Sequence, residues 1–231
     1  MRELNQEGLN LLKIGKIEAF IELRNKNEDW IPDFKGADLR GASLCWVRLC
    51  KSDLRGADLR ETDIRGANLR GACLENALLQ GSYLKGTDLS KSNLKNTNLR
   101  CAKIEETYFN GAYLVKSNLR EVNLRNASLE NANLTEANLR DANLEGSNLK
   151  NANLTRAYLK WTNFKNASLE NANLTEANLT DANLEGANLT GVNLKEAIIK
   201  DYAEKTCKEN LDLAIKLGAI LISPSLREFK W

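Results

Sequence analysis

The sequence predicts a β-solenoid closed at each end by a short helical cap, and three observations carry that prediction. Apolar residues recur at every fifth position from Phe34 to Ile199, giving 34 centres in unbroken register, 28 of them Leu. A small side chain stands two residues before nearly every centre: 20 Ala, five Ser and five Thr, with Pro32, Val47, Val122 and Val192 as exceptions. The flanking segments instead carry apolar residues at helical spacing. A period of five fits neither a helix at about 3.6 nor a plain strand at about 2, so the chain must run as short extended sides joined by corners.

In chain order, residues 1–31 are the first cap. Leu9, Leu12, Ile17, Phe20 and Ile21 recur at helical spacing, and Gly15 divides two short helices. Trp30, Pro32 and Phe34 lead into the first side, where the missing N–H of Pro32 costs least because this is an edge. Residues 32–201 hold the 34 repeats. Within each, the small residue and the centre face inward and the residue between them faces out, the period-two pattern of a strand. That middle residue is Asn or Asp in 22 of the 34 repeats, as in Ala132-Asn133-Leu134. The remaining two positions are charged or turn-forming, with Gly at 36, 41, 56, 66 and 71, and make the corner. Residues 202–231 are the second cap. Thr206 and Glu209 have capping-box spacing before Leu211, Leu213, Ala214, Ile215 and Leu217, Gly218 is placed to stop the helix, and an apolar run from Ala219 to Ile222 follows. Caps are required because terminal coils leave strand edges and apolar side chains uncovered.

The period does not fix the number of sides per coil. Residues 126–146 recur at 166–186 with one change, Arg140 giving way to Thr180, so a unit of 40 residues has been duplicated. The Ala-Asn-Leu and Ala-Asp-Leu runs over residues 32–201 resemble the pentapeptide repeat family. That resemblance implies an all-β fold, a right-handed β-helix of square cross-section with four repeats per coil. The 34 repeats then make about eight and a half coils, a rod of about 40 Å at roughly 4.8 Å per coil. It also implies a cyanobacterial host, since the family is abundant there.

Composition removes whole classes of chemistry. The chain has no histidine, which excludes Ser-His and Cys-His nucleophiles and any His-containing metal site. A net charge of +2 argues against a dedicated polyanion or membrane-surface binder. The charged first twenty residues contain no signal-peptide core, and no stretch approaches the length of a membrane span. Five cysteines, at 45, 50, 73, 101 and 207, lack Cys-x-x-Cys spacing and read as reduced thiols, placing the protein in the cytoplasm. A regular rod with a filled axis has no insertions from which to build a pocket, so neither a cofactor nor a small-molecule substrate is expected.

Any function therefore belongs on the surface. In the 20-residue frame one corner carries Arg40, Arg60, Gln80, Arg100, Arg120, Arg140, Lys160, Thr180 and Lys200 in a column. The adjacent column holds Gly41, Glu61, Gly81, Cys101, Glu121, Asp141, Trp161, Asp181 and Asp201. The first column reads either as a basic stripe for an acidic partner or phosphate backbone, or as a solvated face neutralised by the acids beside it. Tyr158, Lys160 and Trp161 lie near Arg140 and are, with Arg100 and Arg120, the candidate interaction surface. Trp46, Tyr83, Tyr108 and Tyr113 are further outward aromatics. The function expected is that of a non-enzymatic interaction or scaffold rod whose partner is another protein. The family resemblance offers an alternative, a DNA mimic that binds a DNA topoisomerase, which the net charge of +2 disfavours. Direct nucleic-acid binding is disfavoured by the interleaved acids.

Overall fold

The computed structural model of the chain describes residues 1–199 and 213–221. The residue before each centre forms a parallel bridge with the residue twenty positions on: Asp33 with Asp53, Asp38 with Asp58, Ser43 with Asp63, Arg48 with Asn68, and so on to Asn178 with Ile198. Four successive repeats each pairing at an offset of twenty give four sides per coil, stacked in register. All 34 centres are buried, none more than 4% exposed, and they fill the axis together with the small residues. Of those small positions only Ala42 is not fully buried.

Each repeat must place five backbone N–H groups. Leu134 N donates to Asn153 O at 2.7 Å and Glu136 N to Thr155 O at 2.9 Å on the next coil, while Asn133 N reaches back to Ala112 O at 2.9 Å. Ala137 N closes the corner on Leu134 O at 3.0 Å. The fifth group, Thr135 N, has no strand partner and donates to Asn133 Oδ1 at 3.0 Å. The same bond forms at all 22 positions where Asn or Asp precedes the centre. The outward Asn is therefore a corner cap as well as a strand residue.

The second residue after the centre has φ between 55° and 71° at every corner from Gly36 to Glu196. A positive φ at the third residue of a turn closed by an i to i+3 bond is the type II signature. Only 11 of these 33 corners use Gly. The others hold a side chain in the left-handed region, at a cost of about 1–2 kcal/mol, because pairing on both adjacent coils fixes the backbone there. Inward hydroxyls, Ser52 excepted, are satisfied locally: Thr62, Thr87, Thr107 and Thr162 donate to a centre carbonyl on the preceding coil, and Ser82, Ser92, Ser117 and Ser147 to the preceding centre of their own coil.

The N-terminal flank folds as α1 (Arg2–Lys13) and α2 (Ile17–Lys26). Gly15, at φ 70°, turns the chain between them, with Gly15 N on Leu12 O and Lys16 N on Leu11 O. Phe20, Trp30 and Phe34 pack edge-on or tilted, with ring centroids 5.9–6.4 Å apart, and seal the open end of the core. Asn5 Oδ1 accepts from Trp30 Nε1 at 2.7 Å and from Asp33 N at 3.1 Å. In interior coils the N–H equivalent to that of Asp33 donates to the coil before it, as Asp53 N does to Pro32 O. Asn5 thus supplies the acceptor that a preceding coil would have supplied.

At the other end β1 (Ile198–Ile199) pairs in parallel with β2 (Ile220–Leu221), at an offset of 22 instead of 20. The apolar run expected after the last helix is accordingly a strand that extends the stack. A helical turn at 213–216 ends at Gly218, φ 92°, where Gly218 N meets Ile215 O and Ala219 N meets Ala214 O in the Schellman pattern. Ala214 is buried against the core. Thr206, Glu209, Leu211, Ile222, Lys200, Asp201 and Cys207 lie outside the described residues.

Candidate interaction surface

Three of the four corners neutralise charge within a single column. Arg125 meets Glu145 at 3.0 Å and Lys165 meets Glu185 at 2.9 Å on one; Lys150 meets Glu170 at 2.9 Å on another; Lys116 meets Glu136 at 3.5 Å and Arg156 meets Glu176 at 2.8 Å on a third. Such exposed pairs contribute about 0–1 kcal/mol each. The remaining corner departs from this rule. It stacks Arg100, Arg120, Arg140 and Lys160 on successive coils with no acid among them.

Neutralisation there runs diagonally. Arg100 and Arg120 share Glu121, each at 3.2 Å, and Arg120 also approaches Asp141 at 3.9 Å. The bond from Arg100, aided by the Cys101 thiol, holds the Glu121 carboxyl below its ordinary range. The next residue in the acidic column is Trp161. Lys160 Nζ lies 3.8 Å from its ring centroid and the Arg140 guanidinium carbon 5.4 Å. Neither Arg140 nor Lys160 has an ion pair among the described residues. Asp181, which continues the column, is 9% exposed.

The structure therefore brings Arg140, Lys160 and Trp161 into one cluster and ties Arg100 and Arg120 to Glu121. Tyr158 stands 54% exposed on the adjoining side, between Asn138 and Asn178, without a ring contact to Trp161. It occupies a position where Asn would cap the corner, and it offers no acceptor to Lys160 N. Four buried side-chain polar atoms lack a partner among the described residues: Ser52 Oγ, Gln80 Oε1, Arg120 Nε and Arg140 Nε. Three of those four belong to this one column. Stacking Arg120 and Arg140 buries their Nε–H groups without supplying acceptors, and Gln80 Oε1 is buried without a donor.

Two features escape sequence reasoning. In the first coils Asp38, Asp53, Asp58 and Asp63 each clamp the Arg two residues on, Arg40, Arg55, Arg60 and Arg65. The hydrogen bond from its arginine lowers the carboxyl of Asp38 to about 2, and that from Arg65 does the same for Asp63. The other feature is a set of open grooves along the corners. Where Gly forms the corner no Cβ fills the space, leaving open grooves of about 480 Å³ among Asp38, Arg40, Gly41, Arg60 and Glu61 and about 430 Å³ between Trp46 and Glu106. In the second, the Trp46 ring lies against Gly66, where a Cβ would come within 2.4 Å of it. The neighbouring Cys45 thiol is pushed up by burial, away from thiolate chemistry. Among the described residues no group of three or more His, Cys, Asp or Glu could hold a metal ion, and no helix is long and apolar enough to cross a membrane.

Sequence models of pentapeptide repeats match residues 33–66 and 44–81, and those of the pentapeptide repeat region match 83–154 and 117–197. Repeats of this kind coil as right-handed quadrilateral β-helices. HetL, a pentapeptide repeat protein involved in heterocyst differentiation regulation in the cyanobacterium Nostoc sp. strain PCC 7120, is 30% identical over 77% of this chain and 95% of its own, with a TM-score of 0.33. Rfr23 from the cyanobacterium Cyanothece 51142 is 28% identical over 62% of this chain and 89% of its own, with a TM-score of 0.22. Full-length QnrB1, a plasmid-mediated fluoroquinolone resistance protein, is 15% identical over 75% and 95%, with a TM-score of 0.38. Comparison with curated proteins gave no match.

Proposed function

Because the chain belongs to the pentapeptide repeat family, we propose that it is a rigid, non-enzymatic scaffold of the cytoplasm that binds another protein through the corner running from Arg100 to Trp161. The observation that carries this reading is the break in charge pairing at Trp161, where Arg140 and Lys160 flank an aromatic ring in place of a carboxylate. Trp, Tyr and Arg are the residue types that dominate binding energy when a partner desolvates them. The stacked coils hold them in place beforehand, so little ordering entropy opposes association. The topoisomerase-binding DNA mimic is the weaker reading, because mimicry needs a continuous acidic face and this corner presents cations on four successive coils.

The test is capture of partners from native extract by the wild-type rod and by a Trp161→Ala, Lys160→Glu double variant. A specific partner retained by the first and lost by the second supports the corner as the binding face. Identical capture profiles from two equally folded proteins would eliminate it.

A further inference from the structure

We infer that the partner segment recognised by this corner is an acidic α-helix lying along the rod axis, with one carboxylate per turn facing the column. The inference rests on the proposed binding role and adds the chemistry and geometry of the ligand. Its first ground is charge. On the four coils concerned, Arg100, Arg120, Arg140 and Lys160 face only Glu121 and Asp141, and the excess is concentrated on Arg140 and Lys160 at the Trp161 end.

The second ground is spacing. Four cations on successive coils span about 14 Å, three intervals of roughly 4.8 Å. Carboxylates at positions i, i+3, i+7 and i+10 of a helix lie on one narrow stripe and span about 15 Å, ten residues at roughly 1.5 Å each. The two ladders agree to within about 1 Å, which long Arg and Lys side chains absorb. An extended strand places same-face residues about 6.7 Å apart, so four of its carboxylates spread over about 20 Å and overrun the column. The third ground is the unpartnered Nε groups of Arg120 and Arg140. A carboxylate arriving above the stack draws a guanidinium out of it into a bidentate pair and supplies the acceptor that the stack withholds. Trp161, 44% exposed, then contacts the apolar residue that follows the last acid of the helix.

The duplicated block provides a variant that fits the fold. Thr180 stands where Arg140 stands in the other block and bonds to Asn178 Oδ1 at 2.7 Å, so Arg140→Thr reproduces a corner the rod already contains. The experiment titrates the full chain with a capped helical peptide carrying Glu at i, i+3, i+7 and i+10. A non-helical peptide of the same composition with Glu at alternate positions and a short duplex DNA are the comparators, with binding read by calorimetry and Trp fluorescence. The helical peptide is expected to bind at least tenfold more tightly than either comparator, to weaken at least tenfold in Arg140→Thr, and to weaken again as salt is raised. Equal binding of the two peptides, tighter binding of DNA, or no binding of the helical peptide overturns the inference. Each of those results leaves the extract experiment free to support or eliminate the corner independently, so the two failures are distinguishable.

Discussion

Removing one corner cap isolates the bond that closes each repeat without touching the core. Asn153 Oδ1 accepts from Thr155 N at 3.0 Å and from Thr155 Oγ1 at 2.6 Å. In Asn153→Ala the hydroxyl turns to water, but the half-buried N–H loses its acceptor, a loss of about 1 kcal/mol on the scale of single hydrogen bonds and helix caps. For a chain of this length that shift lowers Tm by about 2–4 °C. The same column contains a site where the bond is missing: Tyr113 lies between Asn93 and Asn133. Tyr113→Ala serves as its reference, because the tyrosine ring contributes packing of its own. Moving from Ala to Asn at 113 should then raise stability by the same ~1 kcal/mol that Ala at 153 removes. Scanning calorimetry and urea unfolding should be run together, because solenoids unfold coil by coil and a single probe can miss a local change. If Ala and Asn at 113 are indistinguishable and Asn153→Ala is neutral, the Asn does not act as a corner cap.

Three further outcomes follow from the caps and the charges. Asn5→Leu strips the acceptor from the Trp30 indole and the Asp33 amide and should cost about 2–3 kcal/mol; Gly8→Ala, whose Cβ would come 2.5 Å from the Trp30 ring, should cost about 1–3 kcal/mol, both visible as a red-shifted Trp emission and a lower Tm. The Asp38 and Asp63 carboxyls sit at about 2 when folded against an ordinary 3.8. Their contribution is therefore complete above about pH 4 and lost as pH falls through about 2, so Tm should drop over that window in wild type and less steeply in Asp38→Asn with Asp63→Asn.

What the sequence reveals is what burial alone dictates. A leucine every fifth residue must face the axis, so the solenoid and its register were legible in the sequence, and the 20-residue frame placed Arg140, Lys160 and Trp161 side by side. Features that depend on direction were not legible. The outward Asn reads as a strand residue, and only the coordinates show its side chain turning forward onto the next N–H but one. The acidic column beside the cations was legible, but not that Arg100 takes Glu121 at an offset of 21, which follows from long side chains slanting along the corner. The run at Ala219–Ile222 is apolar whether it ends a helix or starts a strand, and pairing of Ile220 with Ile198 decides it. The grooves arise from missing Cβ atoms and from where the Trp46 ring rests, neither of which a period describes.

The duplicated block turns these observations into an argument about the corner itself. Two stretches of 21 residues, 126–146 and 166–186, fold onto the same four sides two coils apart and differ only at Arg140 and Thr180. Everything the fold requires is present in both, so the single difference is one the fold does not demand. At Thr180 the corner satisfies itself, hydroxyl to Asn178 Oδ1, as Thr175 does with Asn173. At Arg140 it leaves an Nε without an acceptor and sets a guanidinium over Trp161. The threonine leaves no buried donor unsatisfied, whereas the arginine trades an unpartnered Nε for a cation–π contact. The rod thus places at position 140 a cation beside an aromatic ring and a second cation, at a corner where its own fold also accepts a threonine, which makes Arg140→Thr the substitution that separates what the fold needs from what the proposed partner needs.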